Sequence, residues 1–85
     1  MDANKLIKEY RIKNNISQNQ LARELGYKTA QFVSNWEREI AYPPTNKIVE
    51  IAKIIKLDKD TLIKAFIKDR TDEIWKSIYE ELAKE

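Results

Sequence analysis

Gln31 and Asn35 stand four residues apart in the segment QFVSNWE, so a helix there stacks their amide groups on one face. An amide both donates and accepts. A Gln side chain can pair bidentately with N6 and N7 of adenine, a contact worth roughly 1–3 kcal/mol of discrimination against a wrong base. Ala30 and Ser34 share that face, and Ala30 is small enough for close approach or for contact with a thymine methyl. Ala30, Gln31, Ser34 and Asn35 are therefore the candidate base-reading residues. Gln18, Lys28, Thr29, Arg38 and Lys47 surround them in sequence and are candidates for phosphate contact. For each of these polar residues alone, an ordinary solvated surface is the competing reading.

Such a face must be carried on a framework, and residues 17–37, SQNQLARELGYKTAQFVSNWE, have the shape of two short helices around a glycine turn. Ser17 can cap the first, with Gln20 completing a capping box and Leu21, Ala22 and Leu25 forming its apolar side. Gly26 can end it in the left-handed conformation, and Thr29 can cap the second helix. That helix turns Val33 and Trp36 to the core, with Phe32 at the core's border. The start of the first helix, with unpaired backbone N–H groups and Gln18 beside them, would suit a phosphate.

The remaining chain reads as helix throughout. Only one glycine and two prolines occur in 85 residues, and Leu and Ile recur at three-and-four spacing among charges that make up 35% of the chain. A helix is predicted over about Ala3 to Asn14, with Leu6, Ile7 and Tyr10 inward. Asn14 and Asn15 suit the turn that follows. The segment EIAYPPTN is a loop, and the next helix runs from about Thr45 to Ile55. Asp58 caps a final helix that buries Leu62, Ile63 and Phe66. One helix from Asp58 to about Lys84 fits the apolar spacing best, while a break near Arg70 to Asp72 is the alternative.

Composition narrows the function classes. The chain has no cysteine and no histidine, so disulfides, thiolate metal sites and the commonest general base are excluded, and neither an enzyme nor a metal or cofactor is expected. No apolar run approaches the roughly 20 residues that span a bilayer, and the N-terminus lacks a signal-peptide pattern, so a cytoplasmic protein with no membrane partner is expected. The net charge is only +2, but residues 1–57 hold ten Lys or Arg against six Asp or Glu, a net +4, and residues 58–85 hold six against eight, a net −2. The basic character therefore accompanies the two-helix motif, as a phosphate-binding surface requires.

The segments SQNQLARELG, QFVSNWERE, PPTNKIVEIAKII and LDKDTLIKAF, in that order, resemble the lambda repressor and Cro-like helix-turn-helix family, also called the Xre family. The resemblance covers about residues 4–66. It implies an all-α, five-helix domain over residues 1–68 with its third helix in a major groove, Gln18 on phosphate, and Ala30, Gln31 and Asn35 toward bases. It also implies a buried ion pair between Arg11 and Glu37. The chain departs from the family pattern in a turn, GYKT, that is one residue longer than the commonest form, and in Lys56, which stands where a glycine is usual.

Residues 69–85 are expected to be a helical extension. Ile67, Ile74, Trp75, Ile78, Tyr79 and Leu82 form a possible dimer surface there, unless the tail folds back on its own domain. The resulting expectation is a homodimeric, sequence-specific regulator of double-stranded DNA, most simply a repressor on a near-palindromic operator, with no small-molecule substrate evident. An antitoxin or adaptor that keeps the fold as a protein-interaction module is the alternative, since no Lys or Arg lies between Ala30 and Glu37.

Overall fold

Four turns of this chain are built the same way, and they set the path of every helix. The computed structural model describes residues 1–84; Glu85, the last residue of the expected extension, lies outside the described residues. Among those residues are five α-helices and no strand: α1 Asp2–Lys13, α2 Gln18–Glu24, α3 Gln31–Glu37, α4 Ile48–Ile54 and α5 Lys59–Ala83. Each of α1 to α4 ends with one residue in the left-handed region: Asn15 (φ 56°), Gly26 (φ 89°), Glu39 (φ 60°) and Lys56 (φ 60°). In each case that residue's N–H and the next one's return to the last turn, as in Tyr27 to Ala22 at 2.9 Å and Gly26 to Arg23 at 3.0 Å. This is the Schellman termination, which satisfies carbonyls the helix end would otherwise leave orphaned.

Helix starts are more varied. Ser17 caps α2, its Oγ accepting from the Gln20 backbone N–H at 3.0 Å, while no reciprocal bond from the Gln20 side chain forms among the described residues. Asp58 caps α5, accepting from both the backbone N–H and the hydroxyl of Thr61, each at 3.0 Å. α1 has no cap of its own. The two oxygens of Asp69, on α5, accept from the N–H groups of Asp2 and Ala3 at 3.0 and 2.9 Å, so a distant helix supplies the missing acceptor. The helix expected from Thr45 begins instead as a 3-10 turn, Thr45–Lys47, and becomes α4 only at Ile48.

The core is assembled from all five helices: Ile7 of α1, Leu21 of α2, Val33 and Trp36 of α3, Ile51 of α4 and Leu62 of α5 are fully buried. Ile55 and Leu57, flanking the left-handed Lys56, are buried too, so the α4–α5 turn is pinned by packing on both sides. Ile63, expected inward, is only partly buried, and Phe32, expected at the border of the core, is half exposed with its ring against Tyr27. Asn4 is the one fully buried polar residue among the described residues, donating from Nδ2 to the carbonyls of Trp36 (2.7 Å) and Ala41 (3.0 Å). It fixes α1 against the exit of α3.

α5 is continuous for 25 residues, about 38 Å at about 1.5 Å per residue, in a molecule whose longest extent is 48 Å. No break occurs at Arg70–Asp72, and the tail does not fold back: residues 71–84 are all exposed.

Candidate nucleic-acid interface

α3 is held by its inner face and free on its outer one. Val33 and Trp36 are buried, and Tyr27 meets Trp36 edge-on at 6.1 Å and Phe32 at 4.8 Å, closing the turn between α2 and α3. Burial, and then the charge of Glu50, pushes the Tyr27 phenol above its ordinary 10.0. The ammonium of Lys47 lies 5.3 Å from the Tyr27 ring and donates to the Leu25 carbonyl at 3.0 Å. Lys47, expected on phosphate, thus caps the C-terminal end of α2, where the carbonyls and the helix dipole both favour a cation.

A buried ionic network joins α1, α2 and α3. Arg11 pairs bidentately with Glu37, Nε to Oε2 at 2.6 Å and Nη2 to Oε1 at 2.8 Å, and its Nη1 donates to the Ile16 carbonyl at 2.8 Å. Both side chains are nearly buried, 12% and 3% exposed. Every nitrogen of the guanidinium therefore has a partner, which is the condition under which a buried pair is tolerated. Gln18 joins this network, its Nε2 donating to Glu37 Oε1 at 3.1 Å. The expected phosphate ligand of α2 therefore directs one N–H inward, across to α3.

The outer face carries the candidate readers. The first helical residue of α3 is Gln31, and the N-cap is Ala30, without a side-chain acceptor; Thr29, expected to cap, reaches the Gln31 N–H only at 3.4 Å. The helix begins one residue later than the Thr29 cap implied. Gln31 and Arg38 are exposed, and Ala30, Ser34 and Asn35 are half buried between them. Asn35 is the hub of the face: its Oδ1 accepts from Gln31 Nε2 and from Arg38 Nη2, each at 2.9 Å. That leaves the Gln31 carbonyl oxygen and its second N–H, and the Asn35 amide N–H groups, free to meet an external partner. Lys28 and Thr29 are exposed in the turn ahead of α3.

Arg11, Glu37 and Gln18 thus form one buried cluster, and Gln31, Asn35 and Arg38 one exposed cluster, on opposite sides of the same short helix. Three contributors carry no recognisable sequence pattern. Asn4 reads as an ordinary polar residue of an amphipathic helix, Asp69 as a surface charge, and Tyr27 as a loop residue. Among the described residues no group of three or more acidic, His or Cys side chains is placed to hold a metal, and no helix is long and apolar enough to cross a membrane.

The fold and the exposed face agree with the comparison to known families. The HTH_3 helix-turn-helix family model matches residues 7–62, from the middle of α1 to the start of α5, leaving the outer part of α5 unmatched. No curated protein and no solved structure matches the chain. With two thirds of its length inside that family model and all five helices in place, the chain belongs to the lambda repressor-like, Xre-type family of DNA-binding helix-turn-helix regulators.

Proposed function

We propose that the protein is a homodimeric, sequence-specific regulator that acts in the cytoplasm as a repressor on a near-palindromic DNA operator. Residues 1–68 are the reading domain and residues 69–85 the dimerising extension. The observation that carries the reading is the linked Gln31–Asn35–Arg38 face on a helix anchored from behind by Val33 and Trp36. Helix placement in a major groove about 12 Å wide would put Ala30, Gln31, Ser34 and Asn35 toward base edges. Lys28, Thr29 and Arg38 would lie toward phosphates, with Gln18 and Lys47 holding the frame and offering their remaining N–H donors. A dimer of this kind reads half-sites about 34 Å apart.

Selection of bound sequences from a random duplex pool tests this directly. A symmetric consensus is expected, with affinity for random duplex falling steeply as salt rises. Replacing Gln31 with Ala should relax the preference at one base position in each half-site, whereas a uniform loss would make Gln31 a positioning contact. One observation favours the adaptor reading: α3 contains no Lys or Arg, and Lys47 and Gln18 are engaged within the protein. Absence of binding to any duplex at low salt would decide for the adaptor.

A further inference from the structure

The outer half of α5 presents its apolar side chains on a different face from the one it packs on its own domain. Leu62 and Phe66 are buried against the domain and Asp69 bonds α1, whereas Ile67, Ile74 and Ile78 are 56%, 59% and 46% exposed. At about 100° per residue those three isoleucines lie within about 40° of one another, about 120° or a third of a turn away from the Leu62–Phe66 side. Trp75 and Tyr79, stacked at 5.8 Å, flank this stripe on one side, with Leu82 beside them. The other flank is polar and carries Arg70, Ser77 and Glu81. Arg70 lies 4.8 Å over the Tyr42 ring, which holds it on that flank.

From these two unlike flanks we infer that the tail pairs with the tail of a second copy in antiparallel orientation, with the two-fold axis passing near Lys76. The inference rests on the dimeric reading above and deepens it. Two helices related by a two-fold normal to their common plane present like flank to like flank, whereas a two-fold along the helices presents unlike flanks. Antiparallel pairing therefore brings the Trp75–Tyr79 stack against its own counterpart and sets Arg70 of each chain beside Glu81 of the other, twice. Parallel pairing would press the aromatic flank of each chain against the charged flank of its partner. Antiparallel pairing also aligns the two helix dipoles favourably and carries the acidic distal Glu81 toward the partner's Arg70. Ile74 of one chain then packs on Ile78 of the other.

The absence of cysteine makes engineered thiols clean reporters of this arrangement. Ile67→Cys, Ile74→Cys and Ile78→Cys lie at exposed positions, and circular dichroism will confirm that each variant keeps its helices. Oxidation of an equimolar mixture of the Ile74→Cys and Ile78→Cys chains should give the mixed disulfide as the main product. Ile67→Cys should stay unlinked, because antiparallel copies hold the two positions about 27 Å apart, well beyond the roughly 7 Å a disulfide spans. Arg70→Glu should raise the dimer dissociation constant several-fold, and adding Glu81→Arg in the same chain should restore it. Efficient self-linking of Ile67→Cys would overturn the antiparallel arrangement in favour of a parallel one. A dimeric full-length chain that gives no mixed disulfide would overturn tail pairing while leaving the dimer intact. A monomeric mass for the unmodified chain at high concentration would overturn the dimer itself.

Discussion

Asn35 has the most constrained side chain on the exposed face of α3, because one oxygen holds both the Gln31 amide and the Arg38 guanidinium. Under the proposed function its effect on recognition is therefore exerted largely through its neighbours. Asn35→Ala should loosen the base preference at the position proposed for Gln31, and should also steepen the loss of affinity with salt as Arg38 swings out toward phosphate. Selection from a random pool and a salt titration measure the two effects separately. Glu37 acts in the opposite direction, toward the interior. Glu37→Ala would strand the Arg11 guanidinium and free the Gln18 amide, and unfolding in urea should show a loss of about 3–5 kcal/mol. The Arg11–Glu37 pair and the Gln31–Asn35 spacing were both legible from residue type and family resemblance. The inward turn of Gln18 and the capping role of Lys47 were not, since each depends on which helix end lies within reach of a long side chain, and that is fixed only by the packing.

At the scale of the elements, the four Schellman turns explain how so short a chain of helices changes direction with a single glycine. Left-handed backbone costs a residue with a Cβ roughly 1–2 kcal/mol. Gly26 avoids that cost, and Asn15 lowers it, but Glu39 and Lys56 bear it in full. Lys56→Gly should raise stability by about 0.5–1 kcal/mol, the relieved strain being partly offset by the greater freedom of glycine in the unfolded chain. Gly26→Ala should do the reverse even though an added Cβ meets nothing within 4 Å, because only the backbone angle is at fault. Denaturant midpoints for the two variants check both signs. The glycine and asparagine turns could be read from residue type. Glu39 and Lys56 could not, as the buried Ile55 and Leu57 and the Asn4 bond to the Trp36 carbonyl impose conformations their residues disfavour.

The cap of α5 adds a pH dependence of known sign. Hydrogen bonds from the Thr61 backbone N–H and then from its hydroxyl hold the Asp58 carboxyl below its ordinary 3.8. A depressed carboxyl contributes its stabilisation above 3.8 and loses it as pH falls through the folded-state value. The stability difference between the native chain and Asp58→Ala should therefore be constant near neutrality and shrink below about pH 3.8. Thermal melts at several acidic pH values measure it.

The whole molecule is a compact head with a rod fixed into it. The family match ends at residue 62, and beyond it only the periodicity of Ile67, Ile74, Ile78 and Leu82 indicated a continuous helix. That periodicity fixed the helix but not the Asp69 cap on α1, which binds the root of the rod to the first turn of the chain. Because α5 has no glycine, proline or break, nothing in it can act as a hinge. In a tail-paired dimer the two heads are consequently geared to each other through the pitch of this one helix. A single alanine inserted between Asp72 and Glu73 would turn each head by about 100° about the rod and should abolish binding to the native operator, while weakening the dimer only by the loss of its two Arg70–Glu81 pairs. An insertion of seven, two turns to within about 20°, should recover binding only on an operator with a new distance between its half-sites, as expected if the length of α5 sets the spacing of the DNA target.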